Sequence, residues 1–379
     1  MKSIFIYSPY WRNFGGGERY MLHLAVALSK LPGTEVGVIS EFPDIMKEKL
    51  EKYFRLDLSK IQYRTLDRRR GSLSEFVRDI DIFVPLSNFR RIKGAARNLV
   101  QALQVPYPEI TVSTIGRRII SGDIKEGLKD ILRKRLLSYA RTHARLTITN
   151  SQFVHDTLLR NFTLESFVLH PPIGDFLTNG IAKRKIILSV GRFFRGLYND
   201  KRYDILTAAF RSISSRLQGW EYHIVGSAAD DSTTNNLIRT LKEANAGFHV
   251  FFHVNESHES LVTLYNEATL MWHGAGFGVD EVRQPERTEH FGMSVVEGLS
   301  AKCIPIVVNR GGLKEIVSHG KDGFLWETTG ELTDFTLRLA DTSGESLKEI
   351  QENARKRYLD FSVGRFEKRA SDIFLPMLG

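Results

Sequence analysis

The chain has 379 residues, of which 42% are hydrophobic and 26% are charged. This composition is typical of a soluble two-domain protein, and it excludes a disordered chain, a collagen and a small disulfide-rich scaffold. The single cysteine, Cys303, cannot form an internal disulfide, so we expect a reducing, cytoplasmic compartment. No apolar run is long enough to span a membrane, and the N-terminal segment predicts a first strand rather than a signal peptide.

The formal net charge of +9 is unevenly distributed. Residues 1–172 contain 28 basic and 17 acidic side chains, whereas residues 173–379 contain 25 and 27. The basic clusters of the first half lie at 68–70, 90–91, 117–118 and 133–135. Such a surface favours anionic partners, namely acidic lipids, nucleic acid or a phosphorylated substrate, although an ordinary solvated basic face is the alternative.

Strand and helix patterns alternate along both halves of the chain. The elements predicted for the first half are strands at 2–8, 35–40, 81–85 and 146–149, with a helix at 18–30. The elements predicted for the second half are strands at 185–190, 221–225, 249–253, 270–273 and 304–308, with helices at about 201–217 and 258–268. This alternation indicates two Rossmann-like domains with parallel sheets, joined near the two prolines at 171 and 172.

The segment 125–145 predicts a helix with two distinct faces. An apolar stripe of residues four apart runs beside a ridge formed by Lys125, Lys129 and Arg133. The stripe consists of Ile124, Leu128, Leu132, Leu136 and Ala140. Either the stripe is buried in the domain core, or the helix lies on an anionic membrane surface. In the second case, reversing the three ridge charges should abolish binding to anionic vesicles.

The strongest chemical signal is a pair of glutamates eight positions apart, Glu289 and Glu297. The pattern predicts a loop carrying Glu289, followed by a helix that begins near Gly292. A helix N-terminus presents unpaired N–H groups and a partial positive charge, which suit a phosphate or sugar hydroxyls. A carboxylate one to two turns into that helix can accept hydrogen bonds from a vicinal diol such as ribose.

This segment resembles the E-x7-E motif of the retaining family 4 glycosyltransferases, which have the GT-B fold. The resemblance implies that Glu289 contacts the transferred sugar and that Glu297 holds the nucleotide ribose. It also implies that the backbone of the intervening turn binds the sugar and its phosphate. The residues of that turn are Phe291, Gly292, Met293 and Ser294.

Two further segments fit the same family. Arg192 follows a predicted strand and Lys201 opens the next predicted helix, and the resemblance places both on the donor diphosphate. Because the intervening loop is long, Arg195 or Arg202 could replace Lys201. The glycines Gly15, Gly16 and Gly17 follow the first strand, where the family uses a glycine loop to cover the donor phosphates.

A stretch around His273 resembles a bacterial branch of the family that acts on cell-surface polysaccharides. We expect it to lie beside the donor sugar and to continue into a mobile flap at 279–288, although His273 could equally be a core residue. Asn150 and Ser151 resemble an element near the interdomain cleft. No metal-binding or Walker-type spacing is visible, so we expect neither a metal ion nor a cofactor.

These features predict a retaining glycosyltransferase. Residues 1–172 would form the acceptor domain, 173–360 the nucleotide-sugar domain, and 361–379 a terminal helix that returns to the first domain. The donor would be a UDP- or GDP-sugar, with a preference for mannose. The acceptor would be a glycan or lipid-linked molecule, and the inner face of an anionic membrane is a further expected partner. The alternatives are a sugar-nucleotide 2-epimerase of the same fold and a nucleic-acid-binding protein.

Overall fold

The computed structural model describes residues 1–67, 69, 71–88, 92, 96–194 and 200–379. It divides into two compact units, one formed by Met1–Pro172 with Val363–Gly379 and the other by Ile173–Ser362. The clusters predicted around residues 68, 70, 90 and 91, and residue 195, lie outside the described residues.

The first unit is built on a seven-stranded, wholly parallel sheet in the order β3-β2-β1-β4-β5-β6-β7. Its central strands are mostly apolar and are buried along most of their length, as expected for parallel strands covered on both faces. The strands are β1 Lys2–Tyr7, β2 Thr34–Ser40, β3 Gln62–Thr65, β4 Ile82–Pro85, β5 Asn98–Leu103, β6 Leu146–Thr149 and β7 Phe167–Val168.

Six α-helices connect these strands in the described part of the chain. They are α1 Gly16–Ser29, α2 Lys47–Phe54, α3 Leu73–Phe76, α4 Val112–Ile120, α5 Ile124–His143 and α6 Gln152–Phe162. The helix α6 begins at Ser151, whose hydroxyl accepts the N–H of Val154 as an N-cap. Among the described residues, no helix is both long enough and apolar enough to cross a membrane.

The helix that ends the chain, α14 Val363–Phe374, also belongs to the first unit. Its buried residue Phe366 packs edge-on against Tyr20 of α1, with ring centroids 5.5 Å apart. Glu367 pairs with Lys30 at 2.5 Å. The helix therefore completes the apolar layer on one face of the first sheet.

The second unit is a six-stranded parallel sheet in the order β10-β9-β8-β11-β12-β13. Its strands are β8 Arg184–Val190, β9 Glu221–Gly226, β10 Val250–Val254, β11 Ala268–His273, β12 Ile304–Val308 and β13 Phe324–Trp326. Its helices are α7 Tyr203–Ile213, α8 Ser232–Ala244, α9 His258–Glu267, α10 Met293–Ser300, α11 Leu313–Ile316, α12 Thr329–Ala340 and α13 Gly344–Tyr358. The two parallel sheets confirm the predicted α/β class.

Candidate active site

The loop that carries Glu289 is held by close backbone contact with the segment after β12. The carbonyl of Glu289 accepts the N–H of Gly312 at 2.8 Å. A Cβ at Gly311 would stand 2.3 Å from that same carbonyl oxygen, and one at Gly312 would stand 2.4 Å from the carbonyl oxygen of His290. Only glycines allow this approach, so the pair Gly311 and Gly312 fixes where Glu289 lies.

Three side chains meet at the carboxyl ends of β8 and β11. The ammonium of Lys201 lies 2.5 Å from Oε2 of Glu289, and Nε2 of His273 lies 3.2 Å from the same oxygen. His273 is only 3% exposed and Glu289 is 8% exposed. A buried carboxylate is tolerated here because two donors satisfy it.

The protonation states follow from this geometry. Burial alone raises the pKa of Glu289, but the Lys201 charge and the bonds from His273 and Lys201 outweigh burial, so its pKa lies well below the ordinary 4.5. Burial, with the charge of Lys201, lowers the pKa of His273. Nδ1 of His273 lies 3.4 Å from the N–H of Ala275, in a position to accept it. A neutral His273 therefore carries its proton on Nε2 and donates it to Glu289.

Lys201 reaches Glu289 because residue 191 is a glycine. A Cβ on Gly191 would stand 2.7 Å from Cε and 2.9 Å from Cγ of Lys201, so the lysine stem lies directly against the Gly191 backbone. Lys201 precedes α7 by two residues, instead of opening the helix as predicted. The substitute Arg202 bonds to the carbonyl of Phe277 at 2.7 Å, and the other substitute, residue 195, is outside the described residues.

The Gly191→Ala variant should be less stable than the wild type. The new methyl group would displace the Lys201 stem and break its bond to buried Glu289, at a cost of about 1.5–3 kcal/mol in the free energy of unfolding. Urea unfolding at neutral pH measures this loss.

The matched control is Gly330→Ala on α12. There a Cβ meets nothing closer than 3.7 Å, and alanine favours a helix, so stability should stay equal or rise. If both alanine variants unfold alike, Gly191 does not govern the position of Lys201.

Arg192 follows Gly191 and is exposed. No acidic partner of its guanidinium is found in the described part of the chain. It therefore offers a free cation one residue after the glycine on which the Lys201 stem packs.

The predicted turn begins α10 as expected. Gly292 occupies the N-cap with φ 116°, a conformation that favours glycine, and Leu313 would collide with any Cβ there at 2.7 Å. The N–H groups of Met293 and Ser294 have no acceptor within the described residues. The ring of Phe291 packs on Phe361 in the core, so only its backbone is available to a ligand.

Glu297 is held by a tyrosine that the sequence did not reveal. The hydroxyl of Tyr265, on α9, donates to Oε2 of Glu297 at 2.9 Å. Tyr265 is fully buried, and burial together with the Glu297 charge raises its pKa well above 10. The phenol therefore remains a donor and orients the carboxylate.

The segment after β11 is anchored, which argues against the predicted mobile flap. Phe277 packs on Trp326 with centroids 5.0 Å apart. Glu281 accepts the N–H of Gly311 at 2.8 Å and pairs with Lys314 at 2.6 Å. The segment is thus tied to the same glycine pair that holds Glu289.

The glycines of the first unit differ from the predicted loop. Gly15 is the N-cap of α1, and Gly16 and Gly17 form its first turn. The carboxylate of Glu18 already accepts the N–H of Gly15 at 2.9 Å, so an acidic group occupies part of this helix N-terminus. A glutamate at the third helical position is one half of a capping box, and this half was visible in the sequence.

The fold is that of the GT-B glycosyltransferases. A glycosyltransferase from Rickettsia africae superposes with a TM-score of 0.71 at 19% identity, covering 100% of this chain and 98% of the other. Anabaena HepE in complex with UDP and glucose gives a TM-score of 0.68 at 16% identity, covering 99% and 100%.

Residues 178–357, within the second unit, match the model of the family of glycosyl transferases group 1. A GDP-Man:Man(3)GlcNAc(2)-PP-Dol alpha-1,2-mannosyltransferase of Dictyostelium discoideum is 25% identical over 246 residues, or 59% of this chain and 45% of that protein. The Mus musculus enzyme of the same name is 26% identical over 224 residues, or 53% and 42%. The chain thus spans less than half the length of these curated relatives.

Proposed function

We propose that the protein is a retaining glycosyltransferase that moves a hexose from a nucleotide-diphosphate sugar to an acceptor hydroxyl. The observation that carries the proposal is the buried cluster of Lys201, Glu289 and His273 in the unit that matches the family. Two ionised groups and an oriented imidazole are costly to bury, and such clusters are typical of active sites.

The proposed donor site uses the second unit. Arg192 and Lys201 stabilise the charge that grows on the leaving diphosphate, together with the N–H groups of Met293 and Ser294. Glu289 contacts the transferred sugar, and Glu297 accepts the ribose hydroxyls. The diphosphate oxygen takes the acceptor proton on the face where the acceptor attacks, so no enzyme carboxylate acts as nucleophile. The cations supply the electrostatic stabilisation, so we propose that neither a metal ion nor a cofactor is required.

Mannose from GDP-mannose is the proposed donor sugar. Support comes from the curated relatives, whose names specify GDP-Man and a mannosyltransferase. A thermal-shift panel of GDP-mannose, UDP-glucose and UDP-N-acetylglucosamine decides the point, since the donor that binds the folded protein raises its melting temperature most.

The proposed acceptor is a glycan or a lipid-linked sugar, met at the cytoplasmic face of a membrane. The names of the relatives specify a glycan on PP-Dol.

The Glu297→Ala variant should bind the nucleoside diphosphate more weakly. Loss of hydrogen bonds between a charged carboxylate and ribose costs about 1.5–3 kcal/mol, which corresponds to a roughly 10- to 150-fold higher Kd. Isothermal titration calorimetry with GDP and UDP measures the change.

The matched control is Glu243→Ala, which removes an exposed glutamate of α8 in the same unit. The Tyr265→Phe variant should fall between the two, because it removes only the hydroxyl that orients Glu297. An affinity of Glu297→Ala equal to that of the control would exclude the ribose role.

The epimerase alternative predicts a different product from the same donor. Chromatography of the incubated nucleotide sugar distinguishes them, because an epimerase returns a new nucleotide sugar without an acceptor. A nucleic-acid-binding role leaves the buried cluster of Lys201, Glu289 and His273 without a purpose.

A further inference from the structure

The hairpin of α4 and α5 carries an unusual number of exposed apolar side chains. Sixteen large hydrophobic residues are exposed in the described parts of the chain, and six of them fall between residues 112 and 132. Their exposed fractions run from 42% to 89%. They are Val112, Ile119, Ile120, Ile124, Leu128 and Leu132, which we call the apolar row.

The apolar row is continuous across the two helices. Ile124, Leu128 and Leu132 are spaced four residues apart and therefore lie along one line of α5. Gly127 lies between the first two, and a Cβ there would stand 2.9 Å from Cγ1 of Ile119 on α4. The close approach of the helices at this glycine brings Ile119 of α4 against α5.

The structure buries one end of the apolar stripe predicted from the sequence and exposes the other. Leu136 and Ala140 at the end of α5 are buried in the core, whereas the first three members of the stripe are exposed. The helix is thus anchored by its C-terminal half and presents its N-terminal half to the outside.

Two of the three cations in the basic ridge predicted from the sequence have acidic partners. Lys129 pairs with Glu126, and Arg133 pairs with Asp130 at 2.8 Å. Between residues 112 and 135, four other cations are exposed and have no acidic partner within the described residues. They are Arg117, Lys125, Lys134 and Arg135.

We propose that this hairpin docks on the surface of an anionic lipid bilayer, with the apolar row inserted among the acyl chains and the four free cations at the headgroups. Helices with an apolar face flanked by free cations bind membrane surfaces in this way. The purpose of docking rests on the proposed function, since it brings the enzyme to a lipid-linked acceptor, but docking itself is measurable without any activity.

Other occupants fit the surface less well. A second copy of the chain would bring a first unit with the same excess of positive charge against these cations. Nucleic acid would find aliphatic side chains in place of the aromatic rings on which bases stack. An anionic bilayer satisfies both the apolar row and the cations.

The test is sedimentation with vesicles of phosphatidylcholine alone or of an equimolar mixture with phosphatidylglycerol. Each free cation should strengthen attachment to the mixed vesicles about fivefold, and salt should weaken that attachment. The wild type should therefore pellet with the mixed vesicles at low salt and much less with phosphatidylcholine.

Two variants and two matched controls separate the contributions. The triple variant Arg117→Glu, Lys125→Glu and Lys134→Glu should lower partitioning onto the mixed vesicles at least about a hundredfold, because each lost cation contributes about fivefold and the three contributions multiply. Ile124→Ser with Leu128→Ser should lower it about tenfold or more. The control for the charge variant combines Lys52→Glu, Lys60→Glu and Arg78→Glu. The control for the apolar variant combines Met46→Ser and Phe167→Ser. Both controls change exposed residues of the same unit outside the hairpin.

Equal pelleting on both vesicle types, or hairpin variants that stay folded and pellet like their controls, would overturn the proposal. So would a wild type that is dimeric without vesicles and becomes monomeric in the hairpin variants. Calorimetry with GDP and UDP is run on every variant. A wild type that binds nucleotide but does not bind vesicles refutes only the proposed membrane docking. A wild type that binds vesicles but does not bind nucleotide refutes only the proposed function.

Discussion

The Lys201→Met variant is expected to lose about 3 kcal/mol of unfolding free energy at neutral pH and nearly all of its turnover. Methionine keeps the apolar stem against Gly191 but removes the ammonium that lies 2.5 Å from Glu289. Leaving a buried carboxylate without its cation costs about 3–5 kcal/mol, and the remaining bond from His273 offsets part of this cost.

The pH dependence of that loss tests its cause. In the wild type the pKa of Glu289 is lowered, so its stabilising contribution is present above 4.5 and is lost only as the pH falls far below that value. In the variant, burial is no longer outweighed and the pKa of Glu289 rises. The difference in unfolding free energy between the wild type and the variant, which we call the stability gap, should therefore be largest at neutral pH. It should narrow as the pH falls towards 4.5.

Urea unfolding across this pH range gives the gap directly. Adding Glu289→Gln to Lys201→Met removes the unpaired charge and should recover a large part of the lost stability. A gap that stays constant with pH, or a double variant no more stable than the single one, would show that the pair does not stabilise this fold.

The Arg192→Ala variant is expected to lower turnover about 10²- to 10³-fold while changing the Kd of the donor much less. In the proposed reaction, negative charge grows on the leaving diphosphate in the transition state, so a positioned cation should stabilise that state more than the bound donor. Arg192 is exposed, so its removal should leave the fold intact.

Steady-state kinetics and donor titration of the same preparation separate the two effects. The matched control is Arg239→Ala, which removes an exposed arginine from α8 and should change neither quantity. Equal losses in donor affinity and kcat/KM, with kcat unchanged, would make Arg192 a binding residue only.

The fold class was predictable because buried parallel strands correspond to short aliphatic runs in the sequence. Ile304–Val308 and Arg184–Val190 are of this kind and stand where the pattern predicted strands. The strand Asn98–Leu103 was missed because Gln101 interrupts its apolar run. The strand Phe324–Trp326 was missed because three residues are too few to show an alternating pattern of apolar and polar side chains. In both cases pairing with neighbouring strands, and not local pattern, decides the structure.

The candidate site was predictable only where its chemically active residues lie close together in a recognisable sequence motif. Glu289 and Gly292 stand in one motif, so the sequence revealed both. Tyr265, 32 residues before Glu297, has no local feature that marks it as a partner of that carboxylate. The free cations of the hairpin were likewise misassigned, because helix periodicity cannot tell which lysines and arginines find an acidic partner.

The return of α14 to the first unit has a consequence for biosynthesis. A ribosome makes all of residues 173–362 before it makes the helix that supplies Phe366, Ala370, Ile373 and Phe374 to the first core. Domains generally fold as they emerge from the ribosome, the N-terminal domain first. Here one apolar face of the nascent first domain stays exposed to solvent until α14 has been made. We therefore expect the second domain to reach its native state first, and ribosome-bound chains stalled before residue 363 to depend on chaperones.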